Sequence, residues 1–234
     1  MENFPESVEE FLAGQILLID KPLGWTSFDV VKKIKNLIRT KYSLKKIKVG
    51  HAGTLDPLAS GLLIVCTGKF TKRISELQGQ EKIYTGNITL GGTTPSYDLE
   101  TEVDATFETK HITEELINKT TAQFIGEIDQ RPPIFSALKR GGERLYEKAR
   151  RGESFEIETR KVSVHAFEIT EIEMPKVSFE IKCSKGTYIR SIAHDYGSAL
   201  DSGAHLSKLC RTAIGDHLLS NAMTVSSFEK ELNN

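Results

Sequence analysis

Residues 49–63 read VGHAGTLDPLASGLL. Gly50, Gly53 and Gly61 put backbone freedom into a short span, as a tight loop needs where another molecule comes close. Among them stand His51, Pro57 and one carboxylate, Asp56, the only acid between Asp29 and Glu76. Upstream, residues 32–48 carry eight Lys or Arg and no acid. A lone carboxylate facing that many cations suggests chemistry. The same residues also fit a plainer role. Asp before Pro is a common helix start, with Asp56 as N-cap and Pro57 as first helical residue, and His51 beside glycine fits a turn. On this stretch alone both roles stay open.

Working outward, residues 62–66 form an apolar run of buried-strand length. GQILLID at 14–20 reads as a second buried strand, and KPLGWTS at 21–27 as a turn ending in two good helix caps. Phe28, Val31, Ile34, Leu37 and Ile38 then recur at helical spacing, with Asp29 in the first turn and Lys32, Lys33, Lys35 and Arg39 on the other face. Residues 71–77 predict a short helix, 82–92 a strand closing in a glycine turn, and 93–104 a polar loop. Thr113 caps a helix over 114–124 that stops at Gly126. DQRPPIFSALKRGG at 129–142 reads as an ordered turn and hairpin, and LYEKARR at 145–151 as a short basic helix. Residues 161–173 and 176–184 predict strands. In the second, Val177, Phe179, Ile181 and Cys183 alternate with polar residues. KGTYIR at 185–190 is a glycine turn leading into a helix with Ile189, Ile192, Ala193 and Tyr196 as its apolar stripe, and Thr224 caps a last helix over 224–232. No regular βαβ rhythm appears.

A chain of 234 residues can bury a full core. Its 38% hydrophobic and 27% charged content suits a globular protein rather than a disordered or membrane one. Its longest apolar runs are far too short to span a bilayer. The first eleven residues carry four Glu and no base, unlike a targeting segment. Cys66, Cys183 and Cys210 are odd in number and widely spaced, which suggests reduced thiols and a cytoplasmic protein. No paired Cys/His spacing or HExxH offers a metal site. Net charge is −1, yet the charge is segregated, so the basic stretch reads either as a phosphate-facing surface or as a solvated helix face.

GHAGTLDPLASGLL resembles the signature of the TruB family of pseudouridine synthases, which modify the T loop of tRNA and whose archaeal and eukaryotic relatives serve guide-RNA particles. Further strings match in the family's order: KPLGWTS, the K-x-Y of Lys82 and Tyr84, Gln130, Pro132, Pro133, Ser136, Ala137 and Lys139, and CSKGTYIR at 183–190. The likeness spans about residues 14–220. In the loop at 93–104 Asp98 matches the family, whereas Pro95, Glu100 and Thr101 depart from it. Cys210 stands where many relatives have a second basic residue; only Arg211 remains, so one RNA or structural contact is expected to be weaker. Many TruB enzymes continue into a small C-terminal RNA-binding domain, and this sequence reads as a short form without it.

The resemblance implies an α+β pseudouridine synthase catalytic fold over residues 14–234, preceded by an N-terminal extension at 1–13. That fold has a central, mainly antiparallel sheet flanked by helices, and an RNA-binding cleft. The implied activity is isomerisation of uridine 55 to pseudouridine in the T loop, with base flipping and no cofactor or metal. Asp56 is then the catalytic aspartate, with Arg190 as the cation that favours its charged form. Tyr84 stacks on the flipped uracil, Tyr188 walls the pocket, and His51 holds the opened RNA loop. Phosphate contacts fall to Lys21, Lys45, Lys46, Lys48, Lys139, Arg150 and Arg151. For Arg150 and Arg151, pairing with Glu147 and the glutamates from Glu153 to Glu158 is the competing role. The expected partner is the tRNA T arm, with no membrane, no required protein partner and a monomeric state. Two rivals are a non-catalytic tRNA-binding module and a guide-RNA-dependent synthase.

Overall fold

Chain order in the computed structural model, which describes residues 4–136, 139–140, 143–144, 151 and 157–234, begins with α1 (Val8–Ala13), β1 (Ile16–Lys21) and α2 (Ser27–Lys41). Then come β2 (Val49–His51), β3 (Ala59–Thr67), a 3-10 turn (Gly68–Arg73) and α3 (Ile74–Gly79). Next are β4 (Lys82–Leu90), β5 (Gly92–Thr93), β6 (Ala105–Thr106), α4 (Glu114–Ala122) and β7 (Gly126–Gln130). The short β8 (Lys139–Arg140) and β9 (Glu143–Arg144) precede the long β10 (Arg160–Glu173) and β11 (Lys176–Cys183). The chain closes with α5 (Ile189–Ala199), β12 (Ala204–Ile214), β13 (His217–Leu218), β14 (Met223–Thr224) and α6 (Val225–Asn233). These elements fall into two compact units, residues 1–84 with 209–234, and residues 85–208.

In the first unit β3 is central. It runs antiparallel to β1, with Leu17 facing Val65 and Ile19 facing Leu63, and antiparallel to β2. It runs parallel to β12 from Leu209 facing Ala59 to Arg211 facing Gly61. Because alternate residues face opposite ways, Leu63 and Val65 enter one core and Leu62, Ile64 and Cys66 the other. Helix α2 covers the first core. Its start is a capping box, in which Thr26 Oγ1 accepts from Asp29 N at 3.0 Å and Asp29 Oδ2 accepts from Thr26 N at 2.9 Å. Val30, Ile34 and Ile38 are fully buried beneath it, each contributing about 1.5–3 kcal/mol. Phe28, expected in that stripe, is 67% exposed. It sits about 100° around the helix from the buried Ser27, so the stripe runs through Val30 and Val31 instead. Phe11 and Phe228, from α1 and α6, close the same core, and Phe4 packs against it.

In the second unit β10 is the spine, antiparallel to β11 on one side and β7 on the other. Phe167 on β10 meets Phe124, Phe179 and Tyr196 at ring-centroid distances of 6.3, 6.1 and 5.5 Å. The Tyr196 hydroxyl donates to Ile117 O at 2.9 Å, which satisfies its polar end inside the core. The expected mixed α/β class and mainly antiparallel pairing hold, with β1–β14 and β3–β12 as parallel pairs. Strand β12 was not anticipated in the tail. The basic helix expected at 145–151 lies outside the described residues except for Arg151.

Candidate active site

Residues 52–58 form the turn between β2 and β3. The chain goes from Pro57 through one turn position straight into β3, so no helix follows and Asp56 is not an N-cap. That corrects the plainer reading of the Asp–Pro pair.

Neighbouring segments grip the backbone on both sides of Asp56. The Ser27 hydroxyl accepts from Leu55 N at 2.8 Å and donates to Leu55 O at 3.1 Å. Gly24 N donates to Pro57 O at 2.8 Å. Arg211, 1% exposed, donates through Nη2 to Gly53 O at 3.0 Å, through Nη1 to Thr54 O at 3.5 Å and through Nε to Leu62 O at 2.8 Å. Ala52 and Leu55 are buried and anchor the turn to the core. Gly61 has φ +100°, and a Cβ there would stand 2.4 Å from Arg211 O, so only glycine lets β12 approach. Asp56, partly buried, therefore sits in a turn whose backbone is held on both sides.

Lys21 was expected to contact RNA and does not reach the surface. It is 0% exposed, and its ammonium donates to Pro22 O at 2.9 Å and Trp25 O at 2.6 Å. Its position at the end of β1 explains the difference, because β1 alternates and this end points inward. Burial pulls the Lys21 pKa down to about 8, the charge of Asp56 opposes that fall, and Arg211 adds to it. Lys21 thus feels the charges of both Asp56 and Arg211. His51, at the end of β2, is held below the usual imidazole range by burial and then by Arg211. Both effects favour the neutral ring, and a backbone hydrogen bond with Gly53 opposes them. Tyr84 is 9% exposed on β4.

Tyr188 and Arg190 come together in the second unit, at the start of α5. Tyr188 is the N-cap residue. Its N donates to Gln130 Oε1 at 2.8 Å, and Gln130 Nε2 returns a bond to Tyr188 O at 3.0 Å. The Arg160 guanidinium lies 4.7 Å over the Tyr188 ring. Arg190 is 3% exposed and donates to Ser96 O at 3.1 Å and Phe135 O at 2.9 Å, with Nε 3.6 Å from Asp98 Oδ2. The divergent loop at 93–104 therefore carries the carboxylate and carbonyl that orient this guanidinium.

Of the expected phosphate contacts, Lys45, Lys46 and Lys48 are exposed. Arg151 is exposed and pairs with Glu143 at 3.0 Å, an ion pair as in the competing role, though with a different glutamate from the ones expected. Arg150 and the side chain of Lys139 lie outside the described residues. Sequence reasoning gave no site role to Ser27, Gln130, Arg160 or Asp98, and noted Arg211 only as the basic residue that remains beside Cys210. The signals available were Asp98, the acid matching the family string, and Arg211, a charge within an apolar stretch.

A profile for the TruB family pseudouridylate synthase (N terminal domain) matches residues 39–189. The chain is 63% identical over 225 residues to a tRNA pseudouridine synthase B of Flavobacterium johnsoniae, covering 96% of this chain and 98% of that protein. It is 52% identical to the tRNA pseudouridine synthase B of Phocaeicola vulgatus, covering 95% and 94%. Among solved structures, a Cbf5-Nop10-Gar1 complex matches with TM-score 0.69 and 31% identity over 95% of this chain. An H/ACA RNP bound to a substrate RNA containing 2'-deoxyuridine matches with TM-score 0.67 and 28% identity over 96%. This chain spans 55% of the length of each of those two solved chains.

Proposed function

The chain belongs to the TruB family of pseudouridylate synthases, and on that footing we propose that it isomerises uridine 55 of the tRNA T loop to pseudouridine, with Asp56 as its catalytic carboxylate. It is a tRNA-modifying isomerase. One observation carries the assignment of Asp56: it sits in a turn whose carbonyls on both sides are held by Gly24, Ser27 and Arg211, with buried Lys21 feeling its charge. Fixed backbone around a charged group is the preorganisation that a reacting carboxylate needs.

The reaction breaks the bond from ribose C1' to uracil N1, turns the uracil, and joins C5 to C1'. The C5 proton is released and N1 takes one up, so the formula is unchanged. Asp56 serves as nucleophile or base at the nucleotide. The target base sits in a structured loop and must be extracted, at a cost of a few kcal/mol that stacking offsets. We assign that stacking to Tyr84, the pocket wall to Tyr188, support of the opened loop to His51, and phosphate contact to Lys45, Lys46 and Lys48. Arg190 is the second functional residue. Arg190→Ala is expected to abolish turnover while RNA is still bound, and full activity of that variant would remove it from the site. We further place the protein in the cytoplasm, acting as a monomer without a protein partner. Its three cysteines are free thiols, and no helix among the described residues is long and apolar enough to cross a membrane.

The test uses a T-arm RNA with tritium at uridine C5 and the purified chain alone. Wild type should release label and Asp56→Asn should not. Release by neither, with RNA bound, would favour a binding module. Release by wild type only after partner proteins are added would favour a guided synthase. Release by both would overturn the role of Asp56.

A further inference from the structure

Arg190 is oriented by Ser96 and Asp98, and the residue between them is Tyr97. Its backbone has φ +64°, a left-handed conformation that a bulky side chain rarely adopts. The flanking residues leave it little choice. Tyr97 N donates to Thr94 O at 3.1 Å, and Leu206 N donates to Tyr97 O at 2.9 Å. Thr94 Oγ1 and Ser96 Oγ both donate to Asp98 O, at 2.7 and 3.1 Å. Such strain persists only where surroundings over-determine it, and it concentrates at functional sites.

The Tyr97 ring lies flat on the His194 imidazole, with centroids 3.9 Å apart and planes 15° from parallel. His194 stands four residues after Arg190 on α5, hence on the same helix face. Its Nδ1 is buried without a hydrogen bond, and burial holds the ring below the ordinary imidazole range. What His194 offers there is a flat neutral surface. One turn of α5 thus holds the loop twice, through Arg190 to Ser96 and Asp98 and through His194 to Tyr97.

We propose that Tyr97 and His194 are positioning residues whose stack fixes the loop on α5, so that Ser96 and Asp98 hold the Arg190 guanidinium in one working orientation. The inference rests on the assignment of Arg190 above. It requires the two rings and neither the phenol hydroxyl nor an imidazole nitrogen.

The experiment measures kcat and KM by label release from the tritiated T-arm RNA, with the folded fraction followed by circular dichroism at the assay temperature. Tyr97→Phe and His194→Phe keep a stack and should stay within about twofold of wild type. Tyr97→Gly removes the ring and relieves the left-handed backbone, so it should remain folded. Its kcat should fall about tenfold with KM unchanged, the scale expected when a reacting group is displaced by a fraction of an ångström. A kcat for Tyr97→Gly within twofold of wild type would overturn the inference. So would a change confined to KM, a loss tracking the unfolded fraction, or a Tyr97→Phe enzyme as slow as Tyr97→Gly. A wild type that released no label would instead overturn the proposed function itself.

Discussion

Replacing Arg211 by Met keeps the length and apolar bulk of the side chain and removes its fork of donors. Two of its bonds, to Leu62 O at 2.8 Å and Gly53 O at 3.0 Å, are short, and the third, to Thr54 O at 3.5 Å, is weak. Hydrogen bonds from a charged donor contribute about 1.5–3 kcal/mol each. The two short ones therefore amount to roughly 3–6 kcal/mol, reduced because burying a guanidinium is itself costly. A loss of about 3 kcal/mol is expected, or roughly 6–12 °C in melting temperature for a chain of this size. Gly53 and Thr54 would also be free to turn, and a shift of about 1 Å at Asp56 would slow label release about 100-fold, measured well below the melting point. Arg211→Lys restores the charge without the fork and should recover little. Thermal melts with single-turnover label release provide the assay. An Arg211→Met protein melting within about 2 °C of wild type, with normal turnover, would refute the idea that Arg211 fixes the turn around Asp56.

Lys21 supplies a pH signature. Its folded pKa of about 8 lies below the 10.5 of an unfolded lysine, so between those values the unfolded chain binds the extra proton. The stability attributable to Lys21 therefore rises with pH across that window, by an order of about 3 kcal/mol. Urea denaturation of wild type and Lys21→Met at pH 7.5 and pH 10, compared by difference, should show wild type gaining on the variant; a flat difference would count against the buried ammonium. Exposed Lys45, Lys46 and Lys48 predict salt-sensitive RNA binding. Replacing all three by Ala should reduce the slope of log Kd against log salt by about 2 to 3 if each meets a phosphate, and an unchanged slope would remove them from the interface.

Periodicity was a good guide wherever the deciding contacts were local. The β11 alternation, the Thr26 and Thr113 caps and most of the α2 stripe could be read because each depends on neighbours within a few residues. The Asp–Pro pair misled as a helix start because the fixed φ of proline suits a turn equally well. Lys21 looked like a surface cation because its inward direction is set by pairing with β3, not by its own composition. Strand β12 and Arg211 were opaque for a stronger reason. The carbonyls that explain Arg211 lie 149 to 158 residues earlier in the chain, and no spacing rule reaches that far. Tyr97 belongs to the same class, since only the fold brings it onto His194.

The parallel pairing of β3 with β12 also bears on how the protein is made. The turn around Asp56 is synthesised early, whereas Arg211 and the strand that carries it emerge after more than a hundred further residues. Contacts of such long sequence separation form late and slowly. A nascent chain on the ribosome is therefore expected to hold Asp56 on an unclasped turn until β12 slots beside β3. A chain that stops short of Arg211 is expected to lack the clasp on Gly53 and Thr54.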